Sequence, residues 1–217
     1  MTIPVGRLIT FEGVDGSGKT TQLSLLREHL IQRGILVVTT REPGGTTLGE
    51  KLRDILLRGE FECSPETEML MLFAARSHNI DTVIRPAMDA GQWVLCDRFT
   101  DATFAYQGGG RQMGLKDIEI LQTLVQGDFR PNKTFLLDLP VEEGILRLTR
   151  RGEVRDRIEQ QDFAFKQRVR EAYLERHRQC RSRIAIVDAS APIDEVHKAI
   201  IIKVMDMLGS SESKHCD

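Results

Sequence analysis

Residues 7–32 read RLITFEGVDGSGKTTQLSLLREHLIQ, an apolar run, a glycine-punctuated turn ending in Lys-Thr, and a stretch of helical periodicity. Within it Gly13–Thr20 matches G-x-x-x-x-G-K-[ST], in the strand-turn-helix setting that a phosphate-cradling loop requires. Gly13, Gly16 and Gly18 let backbone N–H groups of Val14, Asp15 and Ser17 turn toward an anion, at the positive end of the helix that follows. Lys19, on an exposed loop, is placed to reach terminal phosphates, and the Thr20 hydroxyl is suited to Mg²⁺. A merely structural glycine turn leaves the hydroxyl pair Thr20 and Thr21 unexplained. The turn predicts a nucleotide site and ties the chain to a sheet of parallel strands.

The rest of the sequence has the matching alternation. RLITFEG, GILVVTTRE, WVLCDR, TFLLDL and IAIVDAS read as buried strands, and the segments between them carry helical spacing. Pro86 is expected to kink or cap the long helical stretch that starts near Ser64. Strands joined by helical crossovers predict an α/β three-layer sandwich with ligands at the carboxyl ends of the strands. With 217 residues, 41% of them hydrophobic, the chain is expected to form a single domain over residues 1–209. The polar stretch at 210–217 is expected to be a disordered tail.

A net charge of −2 argues against a protein that coats nucleic acid, which must neutralise many phosphates at once. Four scattered cysteines suggest neither a disulfide framework nor a zinc site, and no apolar run has transmembrane length. Absence of a charged leader before an apolar run adds to the expectation of a cytoplasmic protein with no membrane partner. Asn132 opens NKTF, which lacks the Asp of the Asn-Lys-x-Asp guanine reader, so a GTPase is disfavoured. A compact small-molecule kinase suits the length better than a motor ATPase.

The other chemistry-bearing residues follow later strands. Asp97 and Arg98 end WVLCDR, where a carboxylate can hold Mg²⁺ water or position a nucleophile and a guanidinium can fork onto phosphate. Arg41 stands before a Pro-Gly-Gly turn. Three glycines in TDATFAYQGGGR imply close approach to a ligand or to neighbouring backbone. The run RLTRRGEVRDR places five arginines within residues 147–157. Alone it reads as a solvated face; beside a phosphate loop it reads as a counter-charge.

Together FEGVDGSGKTTQ, TREPGGT, FAAR, CDRFTDATFAYQGGGR and RGEVRDRIEQ occur in the order found in bacterial thymidylate kinases, which the chain resembles over nearly its whole length. The resemblance implies a P-loop nucleoside monophosphate kinase fold on a five-stranded parallel sheet, a homodimer, and transfer of the γ-phosphoryl of MgATP to dTMP. It implies that Asp15 meets the sugar 3′-hydroxyl and helps organise Mg²⁺ with Thr20 and Asp97, and that Arg41 and Arg98 hold the dTMP phosphate. Arg76 would bond the thymine edge, with Thr103, Tyr106 and Gln107 lining base and sugar and Tyr106 excluding a 2′-hydroxyl. Residues 150–160 would form a mobile lid whose catalytic arginines are drawn from Arg151, Arg155 and Arg157, while Arg147 stacks on adenine and Lys19 serves the transferred phosphoryl.

The chain departs from the family at two positions. The family's thymine-stacking Phe is Leu72 here, so either Leu72 packs on the base or the helix turns to bring Phe73 there; Ala102 replaces a common Ser. No arginine lies inside the P-loop, so the catalytic charge must come from elsewhere. Rival readings are a P-loop kinase for another nucleotide or a deoxynucleoside, and an ATP-switched binding protein.

Overall fold

A computed structural model describes residues 5–58, 62–152 and 156–212, with side chains to residue 208. The five apolar runs form β1 (Arg7–Glu12), β2 (Val37–Arg41), β3 (Trp93–Asp97), β4 (Lys133–Asp138) and β5 (Ile184–Asp188), all parallel in the order β2-β3-β1-β4-β5. The helices are α1 (Lys19–Gln32), α2 (Thr47–Arg58), α3 (Pro65–Asn79), α4 (Arg85–Asp89), α5 (Thr100–Thr103), α6 (Leu115–Gln126), α7 (Val141–Arg151), α8 (Phe163–Gln179) and α9 (Ile193–Glu212).

Alternation along β1 sends Ile9 and Phe11 to one side of the sheet and Leu8, Thr10 and Glu12 to the other. Ile9 and Phe11 join Leu23, Leu26 and Leu30 of α1 and Val196, Ile200 and Val204 of α9. Leu8 instead packs with Val94, Cys96, Ile80, Ile84 and Ala87. This gives the three layers, and each fully buried leucine such as Leu26 contributes about 1.5–3 kcal/mol of transfer free energy.

Register places the functional edge. Phe11 lies opposite Asp97, and Asp97 lies opposite Arg41. The P-loop, the Asp97-Arg98 pair and the Arg41 turn therefore leave the sheet at one level, on the side where β1 separates strands reached in opposite directions.

Two helical irregularities have identifiable causes. Pro86 sits in the first turn of α4, directly after a π-helical segment, Ile80–Ile84, that continues α3. The missing N–H and the ring of proline are accommodated by that widened turn. The glycine run belongs to a second π-helical segment, Phe104–Gly110, packed on α8. A Cβ on Gly109 would lie 2.5 Å from the Ala172 Cβ, so close backbone approach explains that glycine. At the C-terminus α9 continues to Glu212, past the Gly209 end read from sequence, and residues 213–217 lie outside the described residues. Ser210 to Glu212 carry no helix breaker, so the last turns persist.

Candidate functional site

A cleft of about 990 Å³ runs along the carboxyl edge of the sheet, lined by residues of the P-loop, α2, α3, the β3 end, the Phe104–Gly110 segment and the end of α7. At the P-loop Gly16 has φ +82, and a Cβ there would lie 2.5 Å from the Gly144 carbonyl oxygen, so only glycine allows the loop to rest on α7. No side chain caps α1, which starts at Lys19. Its first N–H groups belong to the loop.

Lys19 does not extend from an exposed loop. It is 7% exposed, and its Nζ donates to the carbonyl oxygens of Gly13 at 3.2 Å and Val14 at 3.0 Å. Burial, followed by the nearby Arg98 charge, pushes its pKa down to about 8. The Thr20 hydroxyl donates to Asp97 Oδ2 at 2.8 Å, so two hard oxygen donors named from sequence meet at one point. Thr21 and Gly18 also line the cleft, whereas Val14 and Ser17 are buried behind it, Val14 as part of the core.

Arg98 is held from every side. Its own φ is +67, and its N–H donates to the Phe11 carbonyl at 2.9 Å. Nη1 donates to Gly13 O at 3.0 Å and to the Tyr173 hydroxyl at 3.1 Å, while Nη2 pairs with Asp15 Oδ1. Tyr106 donates to Asp15 Oδ2 at 3.1 Å, and its ring lies 4.8 Å below the Arg98 guanidinium. Burial works to raise the Asp15 pKa, but Arg98, Lys19 and the Tyr106 hydroxyl outweigh it and hold the carboxyl below its usual range. Behind this group Glu12 accepts from the Phe99 N–H and from Tyr173, each at 2.7 Å, and burial lifts its pKa to about 8. Neither Glu12 nor Tyr173 stands out in the sequence: Glu12 ends a mainly apolar strand, and Tyr173 is one of the few core-facing residues of the charged helix α8.

Farther along, Arg76 is 2% exposed. Nε donates to Glu42 at 2.6 Å and Nη2 to Thr103 at 3.0 Å, and the guanidinium lies 4.8 Å from the Phe73 ring centre. Nη1 is buried with no partner, a cost of about 1–3 kcal/mol that a bound acceptor atom would relieve. Leu72 lines the cleft; Phe73 does not, being set into the core with Met69, Phe104 and Ile118. Placing Phe73 at the ligand is thus corrected. The helix is not turned, because the aromatic ring is occupied beneath Arg76. Thr103, Tyr106 and Gln107 all face the cleft.

Arg41 pairs with Glu50 through two bonds, at 3.1 and 2.7 Å, on the same wall. Beside it Arg53, which sequence reading missed, lines the cleft and donates to Pro43 O at 3.0 Å. Its signal was available: Gly49, Arg53 and Leu56 share one helical face, and Gly49 and Leu56 are buried.

The arginine run divides. Arg147 and Arg151 line the cleft, bonded to Glu143 and, at 3.5 Å, to Glu159. Arg150 is exposed, and Arg155 lies outside the described residues. Arg157 also lines the cleft and is fastened to the wall built by α2 and α3: its N–H donates to Leu57 O at 3.1 Å, Nε to Leu56 O at 2.9 Å, and Nη2 pairs with Glu68. Among the described residues no helix is long and apolar enough to cross a membrane, and no group of three or more His, Cys, Asp or Glu side chains is gathered as a metal site.

This arrangement coincides with close sequence likeness. The family model described as thymidylate kinase matches residues 11–200. The chain is 48% identical to the thymidylate kinase of Nitrosospira multiformis over 195 residues, covering 90% of this chain and 95% of the relative. It is 49% identical to that of Alkalilimnicola ehrlichii, covering 90% of each. The crystal structure of thymidylate kinase from Ehrlichia chaffeensis superposes with a TM-score of 0.78 at 34% identity, over 93% of this chain and 99% of that one. With the parallel sheet, P-loop and arginine-lined cleft in the same chain, these matches establish that it belongs to the thymidylate kinase family.

Proposed function

We propose that the chain transfers the γ-phosphoryl of MgATP to dTMP, giving dTDP and ADP. The observation that carries this reading is one cleft with a phosphate loop at one side and, lining the same space, the unpartnered Arg76 Nη1 beside Thr103 and Gln107. Arg98 and Arg41, joined by Arg53, supply the charge for a monophosphate acceptor. Asp15 is kept ionised and aimed by Arg98 and Tyr106, which suits it to accept from a sugar 3′-hydroxyl. The Tyr106 ring is fixed under Arg98, which in this reading suits it to exclude a 2′-hydroxyl.

Thr20 and Asp97 fit Mg²⁺ because they offer hard oxygens and leave coordination positions for water and phosphate; Asp15, whose oxygens are held by Arg98 and Tyr106, would help to organise the ion's surroundings. When bound, that ion neutralises charge on the phosphate chain. The chain's own contribution is alignment: Lys19 and the loop N–H groups fix the donor, and Arg98 holds the acceptor. In this reading Arg147, which lines the cleft, serves the donor base, and Arg151 the charge that develops during transfer.

Coupled ADP release with dTMP, dUMP, the ribonucleotide of thymine and thymidine tests the reading. We expect dTMP to be preferred and thymidine to be poor; thymidine used as well as dTMP would remove the phosphate clamp. ADP formation independent of any small acceptor would favour an ATP-switched binding protein. Arg76→Ala is expected to raise the dTMP KM by about tenfold or more, with kcat changed far less, since base recognition is made in the ground state. Unchanged dTMP kinetics would overturn that assignment.

A cytoplasmic homodimer of single-domain subunits is part of the same reading. Exposed Leu70 on α3 and Leu115, Ile120 and Leu124 on the adjoining α6 support self-association. Cys63, Cys96 and Cys180 are free thiols, in keeping with a reducing compartment.

A further inference from the structure

Glu68 is a carboxylate only 2% exposed, on α3, and phosphoryl transfer does not call on it. It gathers three segments. Oε1 accepts from Gln107 Nε2 at 2.7 Å and from Arg111 Nε at 3.4 Å; Oε2 accepts from Arg111 Nη2 at 3.2 Å and from Arg157 Nη2. Burial works to raise its pKa, but the bond from Gln107 and those from Arg157 and Arg111 hold it below the usual carboxylate range. The group is therefore ionised at neutral pH and can only accept hydrogen bonds.

That fact settles the polarity of its neighbour. An acceptor-only partner takes the NH₂ end of the Gln107 amide and leaves the carbonyl end for the cleft that both side chains line. In the same cleft Arg76 keeps a buried donor, Nη1, without a partner. One donor and one acceptor complement a base edge with an oxo group beside a ring N–H, as in thymine or uracil. Cytosine presents the reverse, an amino group beside a ring acceptor, and would face donor with donor and acceptor with acceptor.

We propose that Glu68 is a specificity-determining positioning residue: by fixing the Gln107 amide with its carbonyl toward the acceptor base, it makes the wall accept 4-oxo pyrimidine nucleotides and reject 4-amino ones. The inference rests on the dTMP reading and deepens it. Glu68 acts through Gln107, without touching the base.

Competition between dTMP and dCMP, with dTDP and dCDP separated by chromatography, reads out the ratio of the two kcat/KM values. Glu68→Gln should lower the dTMP preference by about tenfold or more, because a neutral amide can donate as well as accept and lets Gln107 turn over. Gln107→Met should lower it similarly, and the double variant should lose no more than the larger single loss, as expected of residues acting as one unit. Arg157→Ala breaks another bond of the same carboxylate and should leave the ratio unchanged, whatever its effect on rate. If Glu68→Gln fails to fold, Glu68→Asp keeps the charge among the arginines but withdraws it from the amide, and the same loss is expected. A ratio within about twofold of the parent in the folded Glu68 variant, with Gln107→Met clearly lowered, overturns the proposal. A parent enzyme that does not phosphorylate dTMP overturns the functional reading itself.

Discussion

Replacing Lys19 by alanine is expected to lower kcat by about 10²–10³-fold or more, the range for removing one preorganised group that stabilises transition-state charge. The ammonium is already desolvated and held by two carbonyl oxygens of its own loop, so it meets phosphate charge in a low-dielectric site with little reorganisation. Among the described residues its hydrogen bonds go to its own loop, and the glycines that shape the loop remain. The variant should therefore keep the parent's circular dichroism spectrum. Single-turnover kinetics at saturating ATP and dTMP isolate the effect on chemistry. Retention of more than about a tenth of the parental kcat, below the loss expected for such a group, would remove Lys19 from phosphoryl transfer.

Arg151→Ala is the second large effect, an expected fall in kcat on the order of 10² or more with far smaller changes in either KM. Arginines that meet the transferring phosphoryl in related chemistry are worth about 10³–10⁵ in rate. Both arginines line the cleft: Arg151 ends α7, 3.5 Å from Glu159, and Arg157 is held by two carbonyl oxygens, of Leu56 and Leu57, and by the buried Glu68 on the other wall. Arg157→Ala is accordingly expected to cost less in kcat than Arg151→Ala. Lysine at 151 should not fully restore the rate, because a compact ammonium cannot reproduce a planar fork. Near-normal kcat in Arg151→Ala, with Arg157→Ala strongly impaired, would reverse these roles. Near-normal kcat in Arg151→Ala, Arg155→Ala and Arg157→Ala alike would return the whole run to a solvated face.

How far each feature could be read in the sequence depends on the separation of the residues that make it. Gly13 through Thr20 define a turn whose shape follows from φ freedom at three glycines and from the strand and helix on either side, so the phosphate loop was legible as a local object. Period-two and period-3.6 patterning likewise marked the strands and most helices. The chain's resemblance to a family then brought Arg76, Arg98 and Tyr106 together before any contact was known.

The partners of those residues were decided only by tertiary structure. Strand order β2-β3-β1-β4-β5 brings Arg41 level with Asp97, although they are far apart in the chain. Whether Leu72 or Phe73 lines the cleft depended on what occupied the space beneath Arg76, and the Phe73 ring fills it. Glu12 meets Tyr173 and Glu68 meets Gln107, Arg111 and Arg157 across long loops of sequence. A buried carboxylate carries no local signature of its use, because its ionisation and the donors it orients are set by desolvation and by groups delivered from other elements. The amino-acid order by itself determined the phosphate turn, the alternating elements and which charges exist to be used. The folded chain decided how the charges along the cleft are paired, as Arg157 is with Glu68, since packing brings into bonding range residues that sequence spacing does not relate.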